Sequence, residues 1–274
     1  MQITDLRIYP VKSLAGDSVE EAVVEPWGLA GDRRWGLVDE AGEKVTAREE
    51  HALLGLWAEV VDEDTIRLHG RDGESILVDT PLGLGPVPVS HSRQGFANPA
   101  DEDVNWWIQE RVGRGLRLVW QEDPSVRRVS GAHGGRDGDV LSLADAGPLL
   151  LTTQSSLAQV REWIGEAWAD EDPATSMTRF RPNVVIDGAE PFAEDAWPTV
   201  RLGEVEFRTA EVCDRCVMTQ IDPHTLETGK EPIATLARHR KWDGKTWFGT
   251  RLVPLGSGTL RVGDPVTPGE VAGD

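Results

Sequence analysis

The sequence predicts a mostly β protein with a few helices (β/α+β), folded as two linked β-barrel-like domains. Three observations carry that expectation. Short apolar or alternating runs recur along the chain, turn signals such as Gly-Asp, Ala-Gly and Gly-Arg-Asp-Gly separate them, and segments with helical apolar spacing are few. In the first ninety residues the strand-like runs fall at 3–9, 34–38, 53–61, 65–68 and 75–78. Residues 101–112 read as a helix, because Val104, Trp107, Ile108 and Val112 fall at helical spacing. Residues 116–120 return to strand. The stretch 121–139 is polar, rich in Gly, Arg and Asp and without periodicity, which predicts a mobile loop near a domain junction.

The second half opens with a strand at 140–143, broken by Gly147-Pro148. Ser155 or Ser156 then caps a helix that carries Leu157, Val160, Trp163 and Ile164 on one face. A strand follows at 183–186, and runs at 200–202 and 205–207 flank Gly203-Glu204, a two-residue hairpin signal. The cysteine-bearing segment alternates like a strand. Glu231-Pro232 opens a short helix with proline in its first turn, and strands at 248–254 and 259–262 close the chain. The division this implies is 1–122 and 123–274.

With 47 acidic against 28 basic residues the formal net charge is −19, which repels nucleic acid and anionic membranes over most of the surface. The N-terminus lacks a basic region followed by an apolar run, and no stretch approaches roughly 18 uninterrupted apolar residues. Only two cysteines occur in 274 residues, too few for a disulfide-stapled secreted protein. The expectation is a cytoplasmic protein, with no nucleic-acid or membrane partner.

Those cysteines, Cys213 and Cys216, lie three residues apart with Arg215 between them. Thiol chemistry therefore has one address, and a neighbouring guanidinium favours the reactive thiolate. Core packing, a redox pair and half of a zinc site compete with a catalytic or metal-binding role. No second ligand pair supports zinc, and spacing alone leaves core and functional roles equally open. Three basic segments also need a local explanation in so acidic a chain: Lys12-Ser13, Arg33-Arg34 and Arg179 to Asn183. Each stands next to a turn or strand end, where sites are commonly assembled, and arginine's planar fork suits phosphates.

Taken together, Tyr9-Pro10-Val11-Lys12-Ser13, Asp32-Arg33-Arg34-Trp35, Val45-Thr46-Ala47-Arg48, Phe180-Arg181-Pro182-Asn183-Val184-Val185-Ile186, Glu194-Asp195-Ala196-Trp197, Cys213-Asp214-Arg215-Cys216 with Asp222-Pro223, Lys230-Glu231-Pro232 and Val262-Gly263-Asp264-Pro265-Val266 form an ordered set spanning nearly the whole chain. That set resembles the MOSC family, named for the C-terminal domain of molybdenum cofactor sulfurase. The match is to the branch with a preceding β-barrel, which includes the mitochondrial amidoxime-reducing component and its bacterial relatives. The resemblance implies an N-terminal MOSC β-barrel over 1–122, a MOSC domain over 123–274, and a molybdenum pterin cofactor (Mo-molybdopterin). It also implies that Cys216 ligates molybdenum and is the catalytic cysteine. Lys12, Ser13, Arg33, Arg181 and Asn183 match cofactor-binding positions, and Asp214 stands just before the Arg-Cys pair. Cys213 matches a cysteine that is not the ligand, for which core packing is the preferred role. Where relatives carry a Thr-Ser pair after the residue matching Asp145, this chain has Ala146-Gly147, so only backbone N–H groups are on offer there.

The resemblance further implies an oxidoreductase acting on small N-hydroxylated substrates, such as amidoximes and N-hydroxy bases, by oxygen-atom abstraction at molybdenum. The alternative is a carrier module holding sulfur or cofactor on Cys216 without redox turnover. The chain has no nicotinamide fingerprint, no cysteines for an iron–sulfur cluster and no haem motif. A separate electron-donor protein of ferredoxin, flavin or cytochrome type is expected, with the basic loop from Arg127-Arg128 to Arg136 as one docking candidate.

Overall fold

The first strand, Gln2–Ile8, buries Ile3, Leu6 and Ile8, a spacing that strict alternation does not give. A register shift between Ile3 and Asp5 resets the alternation and turns both halves of the strand toward one core. In this computed structural model, which describes residues 1–83, 85–91, 93–165 and 175–269, that strand joins a sheet made largely from the other end of the chain. It pairs antiparallel with Val184–Asp187, and on its other side with Asp17–Val19. The order then runs through Leu149–Thr153, Lys245–Pro254, Val205–Asp214, Thr199–Leu202 and Val266–Pro268, with Lys241–Trp242 paired onto Lys245–Pro254. A bridge from Gln2 to Pro265 and a 2.9 Å bond from the Ile3 amide to the Asp264 carbonyl bring the far edge back to the first strand. The curled sheet thus closes around Leu6, Leu151, Ile186, Val200, Phe207 and Leu252, all buried.

A second core lies around Leu14, Trp35, Leu37, Leu53, Leu68, Ile108 and Leu118. It is covered by the sheet containing Phe96–Pro99, Arg117–Trp120 and Trp35–Val38, and by the meander Trp57–Val60, Thr65–His69 and Ser75–Asp79. The helix Glu102–Val112 buries Val104 and Ile108 against this core and ends at Gly113, whose φ of 76° suits glycine. The mostly β class and the barrel-like architecture are as the sequence predicts.

Local differences have identifiable causes. Residues 53–61 are not one strand; a 3-10 turn, His51–Gly55, precedes Trp57–Val60. Residues 140–143 make a single bridge, Val140 to Arg128, because their backbone is spent on the loop crossing it. The buried Arg127 guanidinium donates to the carbonyls of Ser142 and Ala144, and the Leu143 amide donates to Arg33. For the same reason the 121–139 stretch is tied down: it contains two 3-10 turns and the Arg208–Asp139 ion pair. Leu149–Thr153, hidden behind the Gly147-Pro148 break, is a fully buried strand at the centre of the closed sheet. The helix Gln154–Ile164 is capped by Thr153, whose hydroxyl accepts from the Ser156 amide, rather than by Ser155 or Ser156.

Ser156 has another partner. Its hydroxyl faces both carboxyl oxygens of Glu194, at 2.8 and 3.1 Å, and Glu194 is completely buried. Burial raises this carboxyl to about 7 against the pull of its hydrogen bonds. The folded state therefore keeps a proton that the unfolded chain releases near 4.5. Stability from this group is complete below that value and is lost as pH rises through 7. Glu194→Gln keeps the shape and cannot ionise. Urea unfolding is expected to show its stability relative to the parent growing by roughly 2 kcal/mol between pH 5 and pH 8; a difference independent of pH contradicts this.

Candidate functional site

All of the sequence-predicted residues, Lys12, Ser13, Arg33, Ala146, Gly147, Arg181, Asn183, Asp214 and Cys216, line one cavity of about 270 Å³. Most of them lie beside the ends of strands in the curled sheet. Lys12 and Ser13 follow Gln2–Ile8, Ala146 and Gly147 precede Leu149–Thr153, Arg181 and Asn183 precede Val184–Asp187, and Cys216 follows Val205–Asp214. Leu149–Thr153 and Val184–Asp187 run parallel, so their entering ends open on the same side. Ser13, Arg33 and Arg181 have φ of 76°, 49° and 54°, each a left-handed conformation costing on the order of 1 kcal/mol for a side-chain-bearing residue.

The seam between the two halves is held by Asn183, which is buried. Its side-chain oxygen accepts from Arg33 at 3.0 Å and from the Leu150 amide at 3.2 Å, and its nitrogen donates to the Arg7 carbonyl at 3.1 Å. Arg33 also pairs with the buried Asp32 at 2.5 Å and donates to the Arg181 carbonyl. Both guanidiniums lie over the Tyr9 ring, Arg33 at 4.6 Å and Arg181 at 4.3 Å from its centre. Burial and the neighbouring Arg33 push Arg181 down to about 10. Arg181 gives one bond to the Leu14 carbonyl and, among the described residues, has no carboxylate partner, so its other donors remain for an anion.

On the opposite wall Asp145 bridges Lys12 and Arg48, the latter at 2.7 Å. Burial pushes the Asp145 carboxyl up, but the two cations win and hold it well below the usual carboxylate range. Arg48 and Cys216 line the same cavity, and Cys216 is exposed at its mouth. Cys213 is buried, yet it is not apolar packing alone: its sulfur accepts from Arg215 at 3.0 Å. Asp214 pairs with Arg251 at 2.7 Å and with Lys245 at 3.4 Å. Although burial raises it, these partners hold its carboxyl below the ordinary range. The Arg251 stem lies where a side chain on Gly147 would project, at 3.0 Å from the Cβ position. Ala146 and Gly147 present only backbone N–H groups, and among the described residues these donate to nothing.

Arg48, Asp145, Arg215 and Arg251 line the cavity without having been singled out as binding residues. Arg48 and Arg215 sit inside motifs read for their neighbours. Arg251 lies in the middle of a strand that reads as buried, so only the tertiary pairing with Glu211 and Asp214 reveals it. Among the described residues no group of three or more His, Cys, Asp or Glu side chains could hold a metal by itself.

Two family models match: the MOSC N-terminal beta barrel domain over residues 1–115 and the MOSC domain over 138–267. The chain is 33% identical to mitochondrial amidoxime-reducing component 1 of Mus musculus, across 96% of this chain and 81% of that protein. The chain belongs to the MOSC-domain family. The Homo sapiens amidoxime-reducing component 1 is 32% identical across 96% of this MOSC chain and 82% of the relative. Molybdenum cofactor sulfurase of Danio rerio is 31% identical across 91% of the chain, which corresponds to 31% of that longer protein.

The two arginines of the seam differ in role. Arg33→Gln leaves Asp32 buried beside an uncharged partner and should destabilise the cofactor-free protein by roughly 3 kcal/mol. Arg181→Gln relieves a crowded cation and loses one hydrogen bond, costing about 1 kcal/mol. Both variants keep the same backbone strain, so urea titrations compare them directly. Equal losses, or the reverse order, contradict the assignment.

Proposed function

We propose that this chain binds a molybdenum pterin cofactor in the cavity and reduces N-hydroxylated compounds, taking electrons from a separate protein. The observation that carries the reading is the pairing of one exposed thiol, Cys216, with a cationic cavity in a chain of net charge −19. That donor set fits the group. A phosphorylated anionic pterin needs fixed cations and N–H donors, and the metal needs one soft ligand beyond its dithiolene. Arg181, Lys12 and the free amides of Ala146 and Gly147 would hold the anionic parts, and Cys216 would hold molybdenum. When bound, the cofactor supplies a centre able to take an oxygen atom from an N–OH group. The relatives support the two halves of the reading by name, one set as amidoxime-reducing components and the other as molybdenum cofactor sulfurases.

The chain's own residues orient and balance charge. Arg48 sets a positive charge in the cavity that Cys216 lines. Arg215 and Arg251 fix the turn that presents it: the Arg215 amide and the Thr246 carbonyl bond at 2.8 Å, and Arg251 holds Asp214. Asp145 and Asp214 are both held ionised by their cations, so neither is suited to donate the protons that water formation requires. Those protons enter from solvent at the open mouth, and a cytoplasmic setting suits this chemistry. The exposed Cys216 also suits a carrier of sulfur or cofactor.

Viologen-driven reduction of benzamidoxime by protein from a cofactor-producing host separates these readings. The parent protein should turn over. Cys216→Ser should lose about a hundredfold or more, because an alcohol replaces a soft thiolate poorly. Cys213→Ser, which keeps an acceptor for Arg215, should lose less than about tenfold. Full molybdenum loading without turnover refutes the reductase and leaves the carrier.

A further inference from the structure

We propose that the hairpin of Lys241–Trp242 and Lys245–Pro254, together with the end of the helix Ile233–His239, is the docking surface for an acidic electron-donor protein. The proposal rests on the reductase reading above and adds where the electrons enter. The basic loop around Arg127 is not suited to that task. Arg127 is buried with its guanidinium on the carbonyls of Ser142 and Ala144, and the exposed Arg128 and Arg136 are interleaved with Glu122, Asp123 and Asp137.

The hairpin differs in charge, exposure and connection. Between residues 230 and 251 six cationic side chains stand against two carboxylates, although Arg240 is paired with Asp195 and the buried Arg251 with Glu211 and Asp214, so the surface charge rests on the others. Lys230, Arg238 and Lys241 are exposed and form no ion pair among the described residues. Of the two carboxylates, Glu231 is turned to the Thr235 amide at 2.9 Å. The unpaired cations of this surface attract a partner of opposite charge.

Exposed Trp242 adds an aromatic anchor, stacked on Trp247 with ring centres 5.3 Å apart, and the Trp247 indole N–H donates to the Trp242 carbonyl. Trp247 pairs across the sheet with Asp214, Lys245 reaches the same carboxylate, and Thr246 exchanges hydrogen bonds with Arg215. Arg215 is the residue before Cys216. The surface is therefore continuous, through bonded neighbours, with the mouth of the cavity. Reduction of an N–OH group to N–H consumes two electrons and two protons and releases water, so two one-electron donors dock in each turnover.

The test uses a plant-type [2Fe–2S] ferredoxin, a small acidic one-electron donor, titrated against the cofactor-loaded protein by calorimetry at low and high salt. The parent should bind at low ionic strength and release as salt rises. Arg238→Glu/Lys241→Glu should weaken binding and ferredoxin-driven kcat/KM by about tenfold or more, with viologen-driven turnover unchanged. Arg128→Glu/Arg136→Glu changes the net charge equally and should leave ferredoxin binding near the parent's. No salt-sensitive complex with the parent, or equal weakening by both double variants, overturns the docking surface. Loss of viologen turnover in the loaded parent is a different result, because it removes the reductase reading while the binding comparison still stands.

Discussion

The amide of Asn183 is the point on which the cavity depends. Its three hydrogen bonds, to Arg33, the Leu150 amide and the Arg7 carbonyl, bind the first strand, the buried central strand and the arginine turn to one another. Each partner comes from a different stretch of chain, and each stretch carries a wall of the cavity. An aspartate there would supply acceptors but no donor for the Arg7 carbonyl, and a leucine would leave buried polar groups unpaired. The left-handed backbones at Ser13, Arg33 and Arg181 persist because this network and the closed sheet over-determine them.

The cations divide into those that build the cavity and those that are offered to it. Arg33 is committed to Asp32 and Asn183, Arg179 to Asp222, and Arg251 to Glu211 and Asp214. Among the described residues Arg181 stands without a carboxylate beside another guanidinium, a costly arrangement for a protein with nothing to bind there. Asp145 moderates the opposite wall by holding Lys12 and Arg48 in place before any anion arrives. Preorganised donors of this kind lose little on binding.

Much of the site was legible because its residues sit at strand ends beside turn signals, which sequence displays well. Lys12, Arg33, Arg181 and Cys216 each belong to such a segment, and all open on one cavity. What local pattern conceals is pairing between distant segments. Gln2–Ile8 completes a sheet with strands some 180 residues away, and no periodicity announces that. Leu149–Thr153 is buried on both faces, so it shows no alternation. Residues 140–143 look like a strand, yet the Ser142 carbonyl serves Arg127 and the Leu143 carbonyl serves Lys12. Cys213 illustrates the limit most clearly: its burial fits core packing, while its bond from Arg215 ties it to the turn that presents Cys216.

The account's central claim is that the cationic cavity and the exposed thiol form one binding site for a molybdenum pterin. Purification from a host that makes the cofactor, followed by metal analysis and quantification of the released pterin on the same sample, addresses it directly. The account predicts molybdenum and pterin in equal amounts, each near one per chain, retained through gel filtration. Protein that emerges folded and free of both, or that carries molybdenum without pterin, would contradict it.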